Sequence, residues 1–328
     1  MTAPLLELRD LAKHFPLRSG LLRRISGASR ALDGVDLTLD DGECLGIVGE
    51  SGCGKSTLAR TLMRVWPATR GSILVRDVDG TVRDWAAMDE AALRIARRAA
   101  SMVFQDPYGS LNPRMTVGDS ISEPLLNAGL GRREREARAS ELIGAVGLAP
   151  EHLRRYPHAF SGGQRQRIVI ARALALRPRL LICDEPVSAL DVSVQAQVLN
   201  LLGDLRRRFG LAMLFITHDL KVVRHLCDRV GVMYAGRIVE TAPTAALFAY
   251  PRHPYTRALI AAAPSPDPTV RSKRELLRGE VPDPAQPIAG CAFAPRCPRA
   301  GQACRTSLPG LVHAGDGRLV RCIDPASV

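Results

Sequence analysis

The 328-residue sequence lacks any run of 18 apolar residues, and glycine (28) and proline (23) occur in modest, unperiodic numbers. A membrane-crossing helix needs about 20 consecutive apolar residues, so we expect none in this chain. The first residues, MTAPLLELRDLAKHF, have no long apolar region behind a basic start, which predicts no secretory signal and a protein that stays in the cytosol. The glycine and proline content excludes collagen-like and low-complexity architectures.

Lysine is scarce, although the chain is basic. Lys and Arg number 45 against 33 Asp and Glu, a net charge of +12, yet there are only four lysines: Lys13, Lys55, Lys221 and Lys273. Bulk charge reports on solubility and non-specific association, so we interpret most arginines as a solvated surface, with a face toward anionic lipid as the second interpretation. A chain with 46% hydrophobic and 24% charged residues is globular, and its length indicates about two domains.

Short apolar runs alternate with helical stretches, a rhythm typical of α/β proteins. The runs predict buried strands, several of them parallel neighbours, at residues 44–48, 101–104, 180–183 and 212–217. Helices are predicted at residues 55–64, 134–146, 164–176 and 194–209. A hairpin is predicted around Ala235-Gly236, and the basic, Gly/Ser-containing residues 17–30 are predicted to form an exposed loop.

Residues 49–57, GESGCGKST, match the pattern GxxxxGK[ST], after an apolar strand and before a helix. Glycines let consecutive N–H groups point inward, and the helix adds the positive end of its dipole. Lys55 would reach the β- and γ-phosphates, and Ser56 would offer its hydroxyl to Mg²⁺. The sequence therefore predicts a phosphate cradle made of Gly49, Ser51, Gly52, Cys53, Gly54, Lys55, Ser56 and Thr57.

Two carboxylates follow the apolar run at 180–183, so they should emerge at the strand edge where open α/β sheets bind ligands. Asp184 would hold Mg²⁺ through its water, and Glu185 would polarise an attacking water as general base. Taken alone, the pair is equally typical of helix-capping acids. Together with the phosphate cradle, Asp184 and Glu185 favour hydrolysis.

A second anion site is predicted at residues 161–164, SGGQ. Ser161 can cap the following helix, while Gly162 and Gly163, followed by Gln164, leave its first N–H groups open to a phosphate. At this point the sequence resembles an ATP-binding cassette (ABC) ATPase. The resemblance implies that two subunits meet head to tail, each SGGQ completing the other's nucleotide site.

The resemblance extends to further residues. It implies that Gln105 senses Mg²⁺ and water, that Asp191 organises the dimer contact, and that His218 contacts the γ-phosphate. Phe15 aligns with the aromatic residue that stacks on adenine, and His14 is its rival.

The fold implied by the resemblance has two domains. Residues 1–250 would form a RecA-like P-loop ABC nucleotide-binding domain, with an antiparallel β subdomain from the N-terminus and a helical subdomain at about 106–173. Residues 251–328 would form a small Cys/Pro-rich C-terminal domain of the oligopeptide/dipeptide transporter type.

Two stretches resemble the ATPases of oligopeptide and dipeptide importers: residues 104–114, FQDPYGSLNPR, and residues 250–259, YPRHPYTRAL. In that group the first stretch faces the permease. The resemblance implies a second ATPase subunit, the same or homologous, two transmembrane permease subunits, an extracytoplasmic binding protein and a place at the cytoplasmic face of the inner membrane. Transport of nickel or another small solute stays open, and a nucleic-acid-associated ABC protein is the rival, supported by charge alone; we expect no nucleic-acid partner.

Eight cysteines fall into two sets. Cys44, Cys53, Cys183 and Cys227 lie in or beside apolar elements and are interpreted as small buried hydrophobes. The other four, spaced C-x5-C-x6-C-x17-C, are Cys291, Cys297, Cys304 and Cys322. A reducing cytosol disfavours disulfides, which leaves Zn²⁺, a [4Fe–4S] cluster or free thiols. Since some members of the resembling group carry a cluster in this region, the resemblance favours the cluster slightly.

Overall fold

The computed structural model describes residues 3–19, 24–106, 109–262 and 279–325. Its strands, in chain order, are β1 Leu6–Ser19, β2 Arg24–Leu39, β3 Cys44–Val48, β4 Arg70–Arg76, β5 Val82–Asp84, β6 Ala100–Val103, β7 Leu180–Asp184, β8 Ala212–Ile216, β9 Arg229–Tyr234, β10 Arg237–Pro243, β11 Val312–His313 and β12 Leu319–Val320. Its α-helices are α1 Lys55–Leu62, α2 Glu90–Ala96, α3 Val117–Asn127, α4 Arg132–Ala145, α5 Gly162–Ala173, α6 Val192–Phe209, α7 Leu220–Leu226, α8 Thr244–Ala249, α9 Pro254–Ala262 and α10 Gln302–Thr306.

An eight-stranded sheet in the order β11-β12-β10-β9-β3-β8-β7-β6 forms the centre of the molecule. The strands from β9 to β6 in this order run parallel, and β3, β7 and β8 are buried along their whole length. Strands covered on both faces are continuous apolar runs, which is why the sequence pattern located them. The four predicted strands, their parallel pairing and the hairpin between β9 and β10 are confirmed.

Helices cover this sheet, and three of them form a separate layer between β6 and β7. Helices α3, α4 and α5 pack on one another there, as the predicted helical subdomain requires. The four predicted helices are α1, α4, α5 and α6, with ends shifted by at most three residues. Within the described ranges, no helix combines the length and the apolar character that a bilayer span requires.

The N-terminal residues form a four-stranded antiparallel sheet in the order β2-β1-β4-β5, as predicted. The exposed loop predicted at residues 17–30 is wrong. Residues 17–19 continue β1 and residues 24–30 begin β2, with Leu17 opposite Gly27 and register shifts along the ribbon. Residues 20–23 of the predicted loop lie outside the described residues. In the rest of this basic, Gly/Ser-containing stretch the backbone pairs as a strand, which its composition did not predict.

The C-terminal residues add to the central sheet, because β12 pairs antiparallel with β10. Beside this pairing lies Glu240, which is fully buried. Its carboxylate accepts hydrogen bonds from the backbone N–H groups of Arg252 and His253 and from the Arg318 guanidinium. A buried carboxylate needs such partners, and these three come from β12's neighbourhood and the start of α9. The division into domains at residue 250 stays a prediction.

The cysteines Cys44, Cys53, Cys183 and Cys227 are buried, as predicted. Cys44 and Cys227 place their sulfur atoms 3.6 Å apart. Their surroundings are the apolar cores on either side of the central sheet, so they serve as small core residues.

Burial of His253 makes stability depend on pH. Desolvation lowers the pKa of His253 from its usual 6.5 to about 4, because the ring is enclosed, although a hydrogen bond to the Arg321 backbone opposes this. Nδ1 of the ring accepts the Tyr255 N–H at 3.1 Å. Between these pH values the unfolded chain binds the proton and the folded chain does not, so stability falls as the pH falls below 6.5. We expect the unfolding free energy to drop by about 1.3 kcal/mol between pH 7.5 and 5.5 on account of this group.

Urea unfolding of the wild type and of His253→Gln at both pH values measures this contribution. The variant should lack that part of the pH-dependent loss, whatever its stability at pH 7.5. Equal losses in the two proteins would contradict a neutral, buried His253.

Candidate active site

The phosphate loop, residues 49–57, leaves the buried strand β3 and enters α1. Two glycines are required by close approach: a Cβ on Gly49 would lie 2.2 Å from the Met233 carbonyl oxygen, and one on Gly54 would lie 2.3 Å from that of Ala31. Gly54 also adopts a φ of 108°, a region that side chains avoid. The backbone therefore curls tightly between β9 and β2 before the helix begins.

Lys55 points back into this curl. Its Nζ donates to the carbonyl oxygens of Gly49 at 2.8 Å and Glu50 at 2.9 Å, and the residue is only 6% exposed. No side chain caps the start of α1 at Gly54, so the first N–H groups of the helix stay available. An ammonium and a bare helix N-terminus together make a site for phosphate.

The other predicted loop residues are arranged around this centre. Ser51 and Gly52 are exposed, Thr57 is half-buried on α1, and Cys53 is buried with its sulfur 3.7 Å from the Lys55 ammonium. Burial raises the pKa of the Cys53 thiol, against the lowering influence of Lys55. Cys53 is thus a neutral packing residue of the loop.

Ser56 and Asp184 meet where α1 faces the end of β7. The Ser56 hydroxyl donates to Asp184 Oδ1 at 2.9 Å. Burial raises the pKa of Asp184, and the hydrogen bond from Ser56 opposes this. A desolvated carboxylate beside a hydroxyl fits Mg²⁺, which takes one or two protein oxygens and completes its shell with phosphates and water. Accordingly, the described residues contain no group of three or more His, Cys, Asp and Glu arranged to hold a metal ion by themselves.

The three predicted catalytic residues lie together, because Glu185 contacts both Gln105 and His218. Its carboxylate accepts a hydrogen bond from Gln105 Nε2 at 3.3 Å through Oε2, and its Oε1 lies 3.2 Å from His218 Nδ1. The Glu185 side chain is 17% exposed, whereas that of His218 is 63% exposed. Glu185 has a φ of 49°, an uncommon left-handed conformation that is frequent at functional sites. The structure therefore brings all three side chains together at the sheet edge.

The SGGQ motif begins α5, as predicted. The Ser161 hydroxyl accepts the Gln164 N–H at 3.3 Å, and Gln164 Oε1 accepts the Ser161 N–H at 3.0 Å, which is a capping box. Gly163 is required by packing, because a Cβ there would lie 2.3 Å from Val194 Cγ1 on α6. Gly162 approaches Leu190.

Asp191 lies at the start of α6, next to these glycines in the fold. It is exposed, its carboxylate does not cap the helix, and its neighbour Val192 is 82% exposed. Ser188, three residues earlier, donates from its hydroxyl to the Glu185 carbonyl oxygen at 3.1 Å. A short turn thus connects Asp191 to the end of β7, and Asp191 is exposed to solvent.

Phe15 is half-buried on β1, whose partner β2 passes the phosphate loop at Ala31. Its ring meets Trp66 edge to face, with centroids 5.0 Å apart. The rival residue, His14, has its Nε2 3.3 Å from the Asp33 carboxylate. Phe15 therefore presents an aromatic ring near the phosphate loop. That this ring stacks on adenine stays a prediction.

Sequence reasoning missed two residues that contact the phosphate loop, Arg296 and Tyr255. Arg296 forms an ion pair with Glu50 of the loop, and the hydroxyl of Tyr255 accepts the Glu50 N–H at 2.9 Å. Tyr255 lies in the stretch YPRHPYTRAL, which pointed to a family but not to this contact. A pairing across 246 residues leaves no local pattern in a sequence.

Cys291, Cys297, Cys304 and Cys322 line one small cavity, beside Phe293. Burial raises the pKa of Cys291 and Cys297, and raises that of Cys322 to about 11. The thiols are near enough to influence one another's ionisation, yet no three of them are arranged as ligands of a metal ion. The raised pKa values of Cys291, Cys297 and Cys322 favour their protonated thiols.

Comparison with known proteins agrees with this geometry. The family described as ABC transporter matches residues 32–188, and the one described as oligopeptide/dipeptide transporter, C-terminal region, matches residues 239–304. A probable peptide ABC transporter ATP-binding protein of Sinorhizobium fredii is 55% identical over 98% of this chain and 90% of its own length. An oligopeptide transport ATP-binding protein of Bacillus subtilis is 50% identical over 97% of this chain and 96% of its own.

Solved structures share the fold. A dimeric ATP-binding cassette in a post-hydrolysis state, bound to ADP and Pi, has a TM-score of 0.61 and 27% identity, covering 73% of this chain and 98% of its own. A component of an ABC transporter complex from Clostridium perfringens has a TM-score of 0.64 and 28% identity, covering 75% and 91%. With an α/β core, an antiparallel sheet and a helical layer in common with such cassettes, and relatives matched along nearly their whole length, this chain belongs to the ABC transporter ATP-binding proteins of the oligopeptide/dipeptide importer group.

Proposed function

We propose that this chain hydrolyses ATP and thereby powers the import of oligopeptides or dipeptides through a membrane permease. The observation that carries the proposal is the cluster of Gln105, Glu185 and His218 beside the contact between Ser56 and Asp184. These residues supply a base and a cation site, and they lie at the same sheet edge as the phosphate loop that contains Lys55. The relatives are named peptide transport ATP-binding proteins, and these names indicate peptides as the transported substrate.

ATP would bind with its phosphates in the loop. Lys55 would exchange its carbonyl partners for β- and γ-phosphate oxygens, and the N–H groups at the start of α1 would donate to them. Ser56 and Asp184 would hold Mg²⁺, which when bound neutralises the phosphates. Phe15 would stack on adenine.

Glu185 would act on the water. Its carboxylate, held between the Gln105 amide and the His218 ring, accepts a proton as the water oxygen bonds to the γ-phosphorus. The bond from that phosphorus to the β,γ-bridging oxygen breaks, and ADP leaves with the electron pair. His218, mostly exposed, would meet the γ-phosphate from the side of β8.

The γ-phosphate needs a second set of donors, which the SGGQ motif of another subunit would provide. Ser161 and Gln164 cap each other, so the N–H groups at Gly162 and Gly163 are presented in a rigid frame. Asp191, exposed at the start of α6, would meet the partner's loop. That partner is a second ATPase subunit, the same or homologous.

The permease would bind at the free edge of the central sheet. Strand β6 ends the sheet, and a groove of about 480 Å³ beside it is lined by Val65 and Phe104, both exposed, together with Arg97. Residues 104–114 start at this groove, although Pro107 and Tyr108 lie outside the described residues. The assembled transporter would contain two permease subunits and an extracytoplasmic binding protein that delivers peptide, and this chain would lie peripherally at the cytoplasmic face of the inner membrane. The peptide-transporter names of the relatives support this assembly.

We predict that Glu185→Gln retains ATP binding and lowers hydrolysis by at least ~10²-fold, because the amide cannot take the proton. In membrane vesicles containing the assembled transporter, phosphate release and uptake of labelled peptides should fall together, and ATP-bound dimers should accumulate.

Glu136→Gln is the matched control, since Glu136 lies in an exposed ion pair with Arg132 on α4. It should hydrolyse ATP and transport as the wild type does. Undiminished turnover in Glu185→Gln would refute the role of Glu185 as general base. Wild-type vesicles that hydrolyse ATP without taking up any peptide would refute peptide as the transported substrate.

For the cysteine cavity we propose a [4Fe–4S] cluster. What supports it is that four cysteines line one cavity; binding would require their thiols to lose their protons. Iron and acid-labile sulfide analysis of anaerobically purified protein should find about four of each per chain. Zinc in their place, or a colourless preparation free of both metals, would replace the cluster with a zinc site or with free thiols.

A further inference from the structure

The phosphate loop carries a carboxylate of its own. Glu50 follows Gly49 directly, within the curl that receives the triphosphate, and its side chain is 25% exposed. A carboxylate there opposes the binding of a highly charged anion unless a cation neutralises it or turns it away. The loop itself contributes one ammonium, Lys55, which the phosphates require.

Arg296, 246 residues further along the chain, supplies the cation that pairs with Glu50. Its two terminal nitrogens donate to the two oxygens of Glu50, Nη1 to Oε2 at 2.7 Å and Nη2 to Oε1 at 3.0 Å. The Arg296 side chain is only 5% exposed, and its Nη1 also donates to the Tyr234 hydroxyl at 3.3 Å. A bidentate, buried pair of this kind fixes geometry as well as charge.

A second contact fixes the backbone of the same residue. The Tyr255 hydroxyl on α9 accepts the Glu50 N–H at 2.9 Å, and Tyr255 is fully buried. The rings of Tyr255, Tyr234 and Phe293 pack together, with centroids 4.6 to 5.4 Å apart. Phe293 directly precedes the short 3₁₀ turn Ala294–Arg296, so the aromatic cluster holds the turn that aims the guanidinium.

We infer that Arg296 and Tyr255 are positioning residues for ATP binding: Arg296 neutralises Glu50 and keeps its carboxylate away from the phosphates, while Tyr255 fixes the backbone at that point. Neither residue touches the reacting atoms. The inference rests on the proposed function only in that the loop binds ATP, so it can be read from binding without transport.

The test is the affinity of the purified full-length chain for Mg²⁺-ATP, measured by titration calorimetry at low salt. Arg296→Gln should weaken binding about tenfold, because it exposes the phosphates to an unpaired carboxylate. Glu50→Gln combined with Arg296→Gln should bind within about threefold of the wild type, since the repulsive charge is gone. The deficit of Arg296→Gln should also shrink in 0.5 M salt.

Arg299→Gln is the matched control, because Arg299 lies three residues on and pairs with Asp324 on the surface. It should bind ATP with wild-type affinity. A merely structural Arg296 would lower the thermal midpoint without rescue by Glu50→Gln, and that result, or an Arg296→Gln protein that binds as the wild type does, would overturn the inference.

Tyr255→Phe keeps the question answerable if Arg296→Gln fails to fold, because it removes a single oxygen. Its ATP affinity should fall about threefold with the loss of one hydrogen bond to the loop. Unchanged affinity would overturn the part assigned to Tyr255. Loss of peptide uptake by wild-type vesicles would count against the proposed function alone, since these titrations do not involve the permease.

Discussion

Parallel pairing of four strands is the constraint on which the rest of the structure depends. In the order β3-β8-β7-β6 the carboxyl ends of all four strands meet at one edge. The phosphate loop follows β3, His218 follows β8, Asp184 and Glu185 end β7, and Gln105 follows β6. Groups that lie up to 169 residues apart in the chain therefore converge without long side-chain reach. A displaced strand would separate the base from the phosphates.

The same constraint explains how much of the site could be predicted. Buried parallel strands are continuous apolar runs, and the residues after a run must lie at the shared edge, so the end of the run at 180–183 located Asp184 and Glu185. Gln105 and His218 also follow predicted strands, but their roles came from the resemblance to the ABC ATPases. Capping is equally local, which is why the role of Ser161 followed from its motif. Local patterns were sufficient wherever the chemistry follows directly from a single element.

Other features depend on partners distant in sequence, and prediction failed there. Residues 17–30 are basic and rich in small residues, yet residues 17–19 and 24–30 pair in the antiparallel ribbon of β1 and β2. Glu50 resembles any exposed loop acid until Arg296 is placed beside it. The four C-terminal cysteines reach one cavity through the pairing of β12 with β10, whereas their spacing said only that they were clustered.

The C-terminal segment thus has a direct connection to nucleotide binding. Its strand extends the central sheet, its aromatic residues pack on Tyr234 of β9, and its arginine reaches the phosphate loop. The cavity with the cysteines is lined by residues of the same turn, and Cys297 directly follows Arg296 in the chain. Any group bound by those thiols would be one residue from the contact that holds Glu50.

The central claim is that one protomer holds only half of the donors that a γ-phosphate requires. The most direct measurement is the rate of ATP hydrolysis per chain as the protein is diluted, with the mass of the hydrolysing species followed by light scattering. The account predicts that the rate per chain falls toward zero as dimers dissociate. A protomer of 35.5 kDa that hydrolyses ATP at the undiluted rate would contradict it.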